Sequence, residues 1–154
     1  HNIKLATEKI NGLLIKPGEE FSLIGALGSI SEREGYRKEL VIKGNRTVPE
    51  EGGGLCQVAT TLFRLILNAG LPITARREHT FRVRYYEPPG YDATIYDPAP
   101  DLKFINNTGA YLLLAAHVVE KNKLHFEFWG TSDGRKVEFS KTKIQYLPRL
   151  GIFS

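Results

Sequence analysis

Three consecutive glycines, Gly52-Gly53-Gly54, stand directly before an apolar-periodic segment that ends at Gly70-Leu71-Pro72. No other feature restricts the folding of this chain as strongly. Glycine loses more backbone freedom on ordering than any other residue, so a run of three belongs where the chain turns sharply or approaches another group closely. From Val58 onward the apolar positions Val58, Leu62, Leu65, Ile66 and Ala69 share one face at helical spacing. Gly70 supplies a left-handed stop, and Pro72 blocks continuation beyond it. The pattern predicts one long amphipathic helix entered through a glycine turn.

The flanking sequence reads as strands and turns around that helix. Ile3 to Ile10 carries apolar residues at 3, 5, 6 and 10, a helical spacing closed by Asn11-Gly12. Leu13 to Ile15 reads as a short strand, Lys16-Pro17-Gly18-Glu19 as a turn, and Phe21 to Leu27 as a short helix. Glu39 to Lys43 and Arg46 to Val48 flank Gly44-Asn45 and predict a hairpin. Beyond the helix, Thr80 to Tyr86, Ala93 to Tyr96, Leu102 to Ile105, Tyr111 to Glu120 and Lys123 to Trp129 are strand candidates, the last two turning at Lys121-Asn122. Val137 to Ile144 alternates and reads as a lead into whatever follows. Fifteen glycines and eight prolines fit so many turns. The expected fold class is α+β, a strand-rich single domain whose central helix carries a cysteine at its N-terminus. The domain is placed at residues 1–135, with 136–154 as an extension or the start of a linker.

Composition excludes several functions. Lys plus Arg is 21 and Asp plus Glu is 17, a net charge of +4. That mild excess favours anionic surroundings without demanding nucleic acid, and no recognition helix, zinc-finger spacing or RNA-binding aromatic motif is present. The longest apolar run, Tyr111 to Val119, falls well short of the roughly 18 residues of a membrane span. One cysteine forms no internal disulfide and no cysteine-rich zinc site. No cofactor motif is visible: the glycine run lacks the ending of a phosphate-binding loop, and no metal ligands are suitably spaced. The chain opens on His1 rather than methionine and reads as part of a longer protein.

The single cysteine is the chemical focus. Free cysteines are usually small buried residues. Cys56, however, follows the glycine run at the predicted helix start, where the positive end of the helix dipole favours thiolate over thiol. Gly53 and Gly54 allow close backbone approach, and Gln57 adds a side-chain amide. A nucleophilic thiol needs a base. His117 and His125 fall inside strand candidates, and His1 is terminal, so these read as ordinary histidines. His79, in the polar Arg76-Arg77-Glu78-His79-Thr80, is the better base. Asp92 is the first choice for a third group that orients the imidazole, with Asp101 and Glu78 as alternatives.

These same residues carry a resemblance to the VanW-like domains from Asn2 to about Gly130. Gly52 to Leu62, reading Gly-Gly-Gly-Leu-Cys-Gln-Val-Ala-Thr-Thr-Leu, is similar to the family's GGGxCQVSSTLY. Ile10-Asn11-Gly12 and Lys16 to Ser22 resemble its NG…PGExFS opening. Arg76 and His79-Thr80 fit its ERxxHS element, Pro89 to Thr94 its PGxDAT, and Asp101 to Asn106 its DLKFxN. Ala59, Ala75 and Thr80 depart from the pattern, while Cys56, His79 and Asp92 keep it. The resemblance implies a peptidoglycan L,D-transpeptidase that joins stem peptides in 3-3 cross-links through a cysteine thioester. It implies a vancomycin-resistance-associated, extracellular or cell-wall setting in a bacterium, within a secreted or membrane-anchored longer chain. Cys56, His79 and Asp92 would be the catalytic set, and Gly53, Gly54, Gln57 and Arg76 would bind substrate, with Arg76 matching a stem carboxylate. A cysteine-dependent stem-peptide hydrolase and a non-catalytic wall-binding module are the competing readings. Oligomeric state is open.

Overall fold

The computed structural model describes residues 1–43, 46–120 and 123–140. The chain opens with helix α1 (Asn2–Ile10), then strands β1 (Leu13–Ile15) and β2 (Glu20–Ser22) and a short helix α2 (Leu23–Leu27). Strands β3 (Lys38–Lys43) and β4 (Arg46–Glu51) precede the long helix α3 (Leu55–Ala69). Then come β5 (Ile73–Ala75), β6 (Lys103–Ile105), β7 (Leu112–Val119) and β8 (Lys123–Gly130). The fold is α+β and strand-rich, as expected. α3 ends as its sequence dictates: Gly70 has φ +66°, and the Leu71 amide donates back to the Ile66 carbonyl.

Among the described residues the strands form three antiparallel sheets, β1-β7-β8, β2-β6-β5 and β3-β4. α1 lies against β7 and α3 against β8, and the two helices also touch each other. β7 alternates accordingly. Leu112, Leu114 and Ala116 face inward and are buried with Ala6, Ile10, Val58, Leu62 and Ile66 from the helices and Phe126 from β8. His117 and His125 are cross-strand partners on the exposed face, the ordinary placement their strand pattern suggested. The second sheet joins this core through Phe104, whose ring meets Phe21 at 5.1 Å and Phe128 at 5.6 Å between centroids. The β3-β4 hairpin pairs with neither other sheet. Its turn at Gly44-Asn45, and that at Lys121-Asn122, lie outside the described residues.

The glycine run explains how the hairpin meets α3. Gly52 and Gly54 have φ of +75° and +93°, a region that other residues enter only with strain. Gly53 has a different reason: a Cβ there would fall 2.6 Å from the Glu39 carbonyl oxygen on β3. The fully buried Asn2 side chain fastens this turn. Its amide donates to the carbonyls of Arg37 and Gly53 at 2.8 and 3.1 Å, and its oxygen accepts from the Arg37 amide at 2.8 Å.

Two strand expectations fail for a common reason. Thr80 to Tyr86 is irregular and ends in a 3-10 turn, Arg84–Tyr86; its alternating Phe81 and Tyr85 are both exposed rather than packed on a core. Ala93 to Tyr96 is also irregular. Its backbone groups find partners other than a strand: the Thr94 amide donates to Arg77, the Tyr96 amide to Pro100, and Ala93 exchanges two bonds with the Thr60 hydroxyl. The short helix expected from Phe21 begins only at Leu23, after β2. Ser22 caps it, with its hydroxyl accepting from the Gly25 amide. β5, three residues long, was not anticipated. Residues 137–140 of the last strand candidate are irregular, and 141–144 lie outside the described residues. Before them Arg135 donates to the Gly70 carbonyl at the end of α3 at 2.9 Å.

Thr60 is buried, and its hydroxyl donates to the Ala93 carbonyl and accepts from the Ala93 amide, both at 3.1 Å. Thr60→Val strands both backbone groups in a site closed to water. It should destabilise the protein by about 2 kcal/mol or more, measured by urea unfolding. A loss below about 0.5 kcal/mol, the ordinary range of surface substitutions, would contradict this account of the segment.

Candidate active site

Cys56 is the second residue of α3, immediately after the glycine turn. The amides of Leu55 and Gln57 bond back to the carbonyls of Gly52 and Gly54, which fixes the first turn around the cysteine. The helix then presents Cys56, Thr60 and Arg64 on one face, four residues apart. Each holds a different part of the irregular segment. Cys56 Sγ lies 3.3 Å from the Thr94 hydroxyl and 4.0 Å from the Ile95 carbonyl oxygen. Thr60 holds Ala93. Arg64 donates to the carbonyls of Tyr91, Tyr86 and Glu87 at 2.9, 2.7 and 3.2 Å. Every fourth residue along this face therefore helps to set the path of residues 86–95.

That path delivers Asp92 to His79. Asp92 Oδ2 accepts from the His79 backbone amide at 2.8 Å and lies 2.5 Å from ring Nδ1. A carboxylate at Nδ1 fixes the tautomer and leaves Nε2 as the free nitrogen. Tyr86 stacks on the imidazole with centroids 5.2 Å apart and planes at 25°. His79 and Cys56 line the same groove and shift each other's ionisation, so cysteine, histidine and aspartate form one electrostatically coupled set.

The electrostatics follow from these contacts. Burial is the largest single influence on Cys56 and opposes ionisation. The His79 imidazole and its charge, the Thr94 hydroxyl and the Ile95 backbone together outweigh it and hold the thiol below its ordinary value. For His79 the interaction with Cys56 is the largest influence, burial opposes it, and Asp92 adds to it; the imidazole is held above its ordinary value. Asp92 is pushed up by burial but down further by its two bonds to His79 and by the charges of His79 and Arg76, so its carboxyl stays below the usual range. Opposite shifts on cysteine and histidine favour a thiolate beside an imidazolium. Tyr86 moves upward, through burial first and then through Tyr85 and the Cys56 charge, so its hydroxyl stays protonated.

Cys56 and His79 open onto a groove of about 730 Å³. One wall is the β3-β4 hairpin, with Lys38, Leu40, Lys43, Pro49 and Glu50; the other is the Val83–Tyr86 turn and Thr94–Asp97. Of the residues expected to bind substrate, Gly54 and Gln57 line this groove. Gly53 does not, because its missing side chain makes room for the Glu39 backbone. Arg76 does not either; its guanidinium faces Asp92 and covers the Phe63 ring at 4.7 Å. Both alternative orienting groups are placed elsewhere. Glu78 is 65% exposed and 3.9 Å from Arg76, and Asp101 accepts from Ser22 and from the Ile24 amide at the start of α2. Among the described residues no group of three or more histidines, cysteines, aspartates and glutamates is arranged to hold a metal, and no helix is long and apolar enough to cross a membrane.

Sequence reasoning missed Thr94 and Tyr86. Thr94 sat inside a quoted motif, but its hydroxyl carried no signal beyond its nearness to Asp92. Tyr86 read as an ordinary strand aromatic. Asp92→Asn removes the anion at Nδ1. It should lower the His79 midpoint by about one pH unit and raise that of Cys56. Ring-proton NMR reads the first change and ultraviolet thiolate titration the second. An unmoved histidine midpoint would contradict the coupling.

The family model for VanW like protein matches residues 1–129. The chain is 37% identical over 116 residues to the uncharacterized protein YoaR of Bacillus subtilis (strain 168), covering 75% of this chain and 38% of that protein. It is 32% identical over 141 residues to the vancomycin B-type resistance protein VanW of Enterococcus faecalis (strain ATCC 700802 / V583), covering 88% of this chain and 46% of that one. The chain thus spans less than half the length of these relatives. No solved structure matches it. A family match across residues 1–129, which spans the glycine turn, Cys56, His79 and Asp92, places the chain in the VanW-like family.

Proposed function

We propose that this domain is a cysteine-dependent acyltransferase acting on peptidoglycan stem peptides, an L,D-transpeptidase that forms 3-3 cross-links. The observation that carries the reading is that Cys56 and His79 line one open groove while Asp92 holds the imidazole from behind. Structural cysteines are inert in apolar surroundings; this one has a histidine partner, a hydroxyl donor and access to a substrate-sized cleft. The relative named for vancomycin resistance supports a cell-wall setting. An extracellular location, as part of a longer secreted or membrane-anchored chain, belongs to the same proposal, as does a catalytic module ending near residue 135.

The chemistry runs in two halves. Cys56 thiolate attacks the carbonyl of the residue whose C-terminal neighbour is the terminal D-residue of a tetrapeptide stem. The new S–C bond forms as the carbonyl π pair moves to oxygen, and the Cys56 amide at the helix start faces that charge. On collapse the C–N bond breaks, and the departing amine takes its proton from the His79 imidazolium. The product is a thioester and a neutral imidazole. The side-chain amine of a neighbouring stem then attacks the thioester and passes a proton to His79. The C–S bond breaks, and thiolate beside imidazolium is restored. Asp92 holds the imidazole and balances its charge throughout. Gln57 and Gly54 line the acyl site.

Incubation with tetrapeptide donor and acceptor stems should give 3-3 cross-linked product with the wild type and at least about 10³-fold less with Cys56→Ala, by liquid chromatography and mass spectrometry of the products. Unchanged cross-linking in the alanine variant would sink the proposal. Shortened stems without cross-links would instead mark a hydrolase. Tight muropeptide binding by both proteins, without turnover, would mark a wall-binding module.

A further inference from the structure

Arg76 is an arginine next to the reacting groups that does not reach the groove; apart from a 3.9 Å approach to the exposed Glu78, its contacts lead to Asp92 or to packing. Nε donates to the Asp92 backbone carbonyl at 2.9 Å. Nη2 lies 3.6 Å from Asp92 Oδ1, the oxygen that His79 leaves free, since both His79 bonds go to Oδ2. The guanidinium plane is held from below by Phe63 of α3 at 4.7 Å. Nη2 is shut off from solvent with no hydrogen-bond partner of its own, so this end of the side chain is not offered to an incoming ligand.

The geometry points to Arg76 as a positioning residue that acts on Cys56 through Asp92 and His79, rather than as the ligand of a substrate carboxylate. One hydrogen bond to the Asp92 backbone, with the guanidinium charge 3.6 Å from the free oxygen, sets the carboxylate so that Oδ2 meets both donors of His79 at once. A flexible ammonium would supply the charge but not a planar group that bonds the backbone while facing the carboxylate. The inference rests on Cys56 and His79 being the reacting pair, and its test needs no stem peptide, so it stands or fails separately from the transpeptidase reading. The other charged or titratable groups facing this set are Tyr86 stacked on the imidazole, Tyr85 beside Tyr86, and Glu78 near Arg76. Across the groove stand Lys38, Lys43, Glu50, Glu51, Tyr96 and Asp97. None of these is altered in the variants below.

With a single cysteine in the chain, alkylation by iodoacetamide reports Cys56 alone. The reagent is neutral and carries no carboxylate. An arginine that only binds a substrate carboxylate therefore leaves its pH–rate profile untouched. The expected result is a rise in the alkylation midpoint by about half a pH unit or more in Arg76→Ala, in the same direction as in Asp92→Asn. In the double variant the rise should be no greater than the larger single rise, because both act along one path. A folded Arg76→Ala protein with the wild-type midpoint, or a double variant whose rise equals the sum of the two, would overturn the inference. Circular dichroism checks folding. Should the alanine variant not fold, Arg76→Lys decides: it keeps the charge and the packing over Phe63 but loses the Nε bond to the Asp92 carbonyl. A midpoint above wild type then supports the inference, and an unmoved midpoint overturns it.

Discussion

One face of α3 organises this molecule. Cys56, Thr60 and Arg64 stand a turn apart and bind, in order, the segments around Thr94, Ala93 and Tyr86–Tyr91. The opposite side of the helix supplies Val58, Leu62 and Ile66 to the core. A single helix thus divides its surface between apolar burial and a polar stripe that substitutes for a neighbouring strand. Without that stripe the carbonyls and amides of residues 86–95 would need water or a sheet, and Asp92 would have no fixed address. The glycine turn and Asn2 act one step earlier. They bring the helix start against β3, so that the cysteine meets the groove at its floor.

The balance at Cys56 is between burial and partners. Burial alone would keep a thiol neutral and inert. Here it is offset by a hydroxyl, a backbone group and an imidazole that is itself anchored by a carboxylate. A pair of this kind gains from partial burial, because fewer waters compete for the same charges. The charge arrangement is ordered from the outside in: Arg76 on Asp92, Asp92 on His79, His79 on Cys56. On the proposed reading each group is oriented by the one behind it, an arrangement that would hold a reacting side chain in one rotamer at the moment of reaction.

Much of this was legible locally. The periodicity from Val58, the stop at Gly70 and the pairing of β3 with β4 are stated within a few residues of sequence. The cysteine at a helix start, a histidine in a polar stretch and an aspartate in a turn were readable as chemistry, and the structure brings those three together. What was not legible depends on long-range partners. Thr80 to Tyr86 and Ala93 to Tyr96 alternate like strands, yet their backbone bonds go to Thr60, Arg64 and loop carbonyls far away in sequence. Nothing in the sequence around Asn2 marks it as buried, and only the fold places it against Gly53. Arg76 carries the right chemistry for a carboxylate ligand, and nothing in its neighbours in sequence says that its carboxylate is Asp92.

The central claim is that Cys56 becomes acylated by a stem peptide. Its most direct measurement is the intact mass of the protein after brief incubation with a tetrapeptide donor and no acceptor, followed by acid quenching and peptide mapping. The account predicts a mass gain equal to the donor acyl group, mapped to the peptide containing Cys56, discharged by hydroxylamine and absent from Cys56→Ala. A wild-type protein that consumes donor with no such adduct, or carries it on another residue, would contradict it.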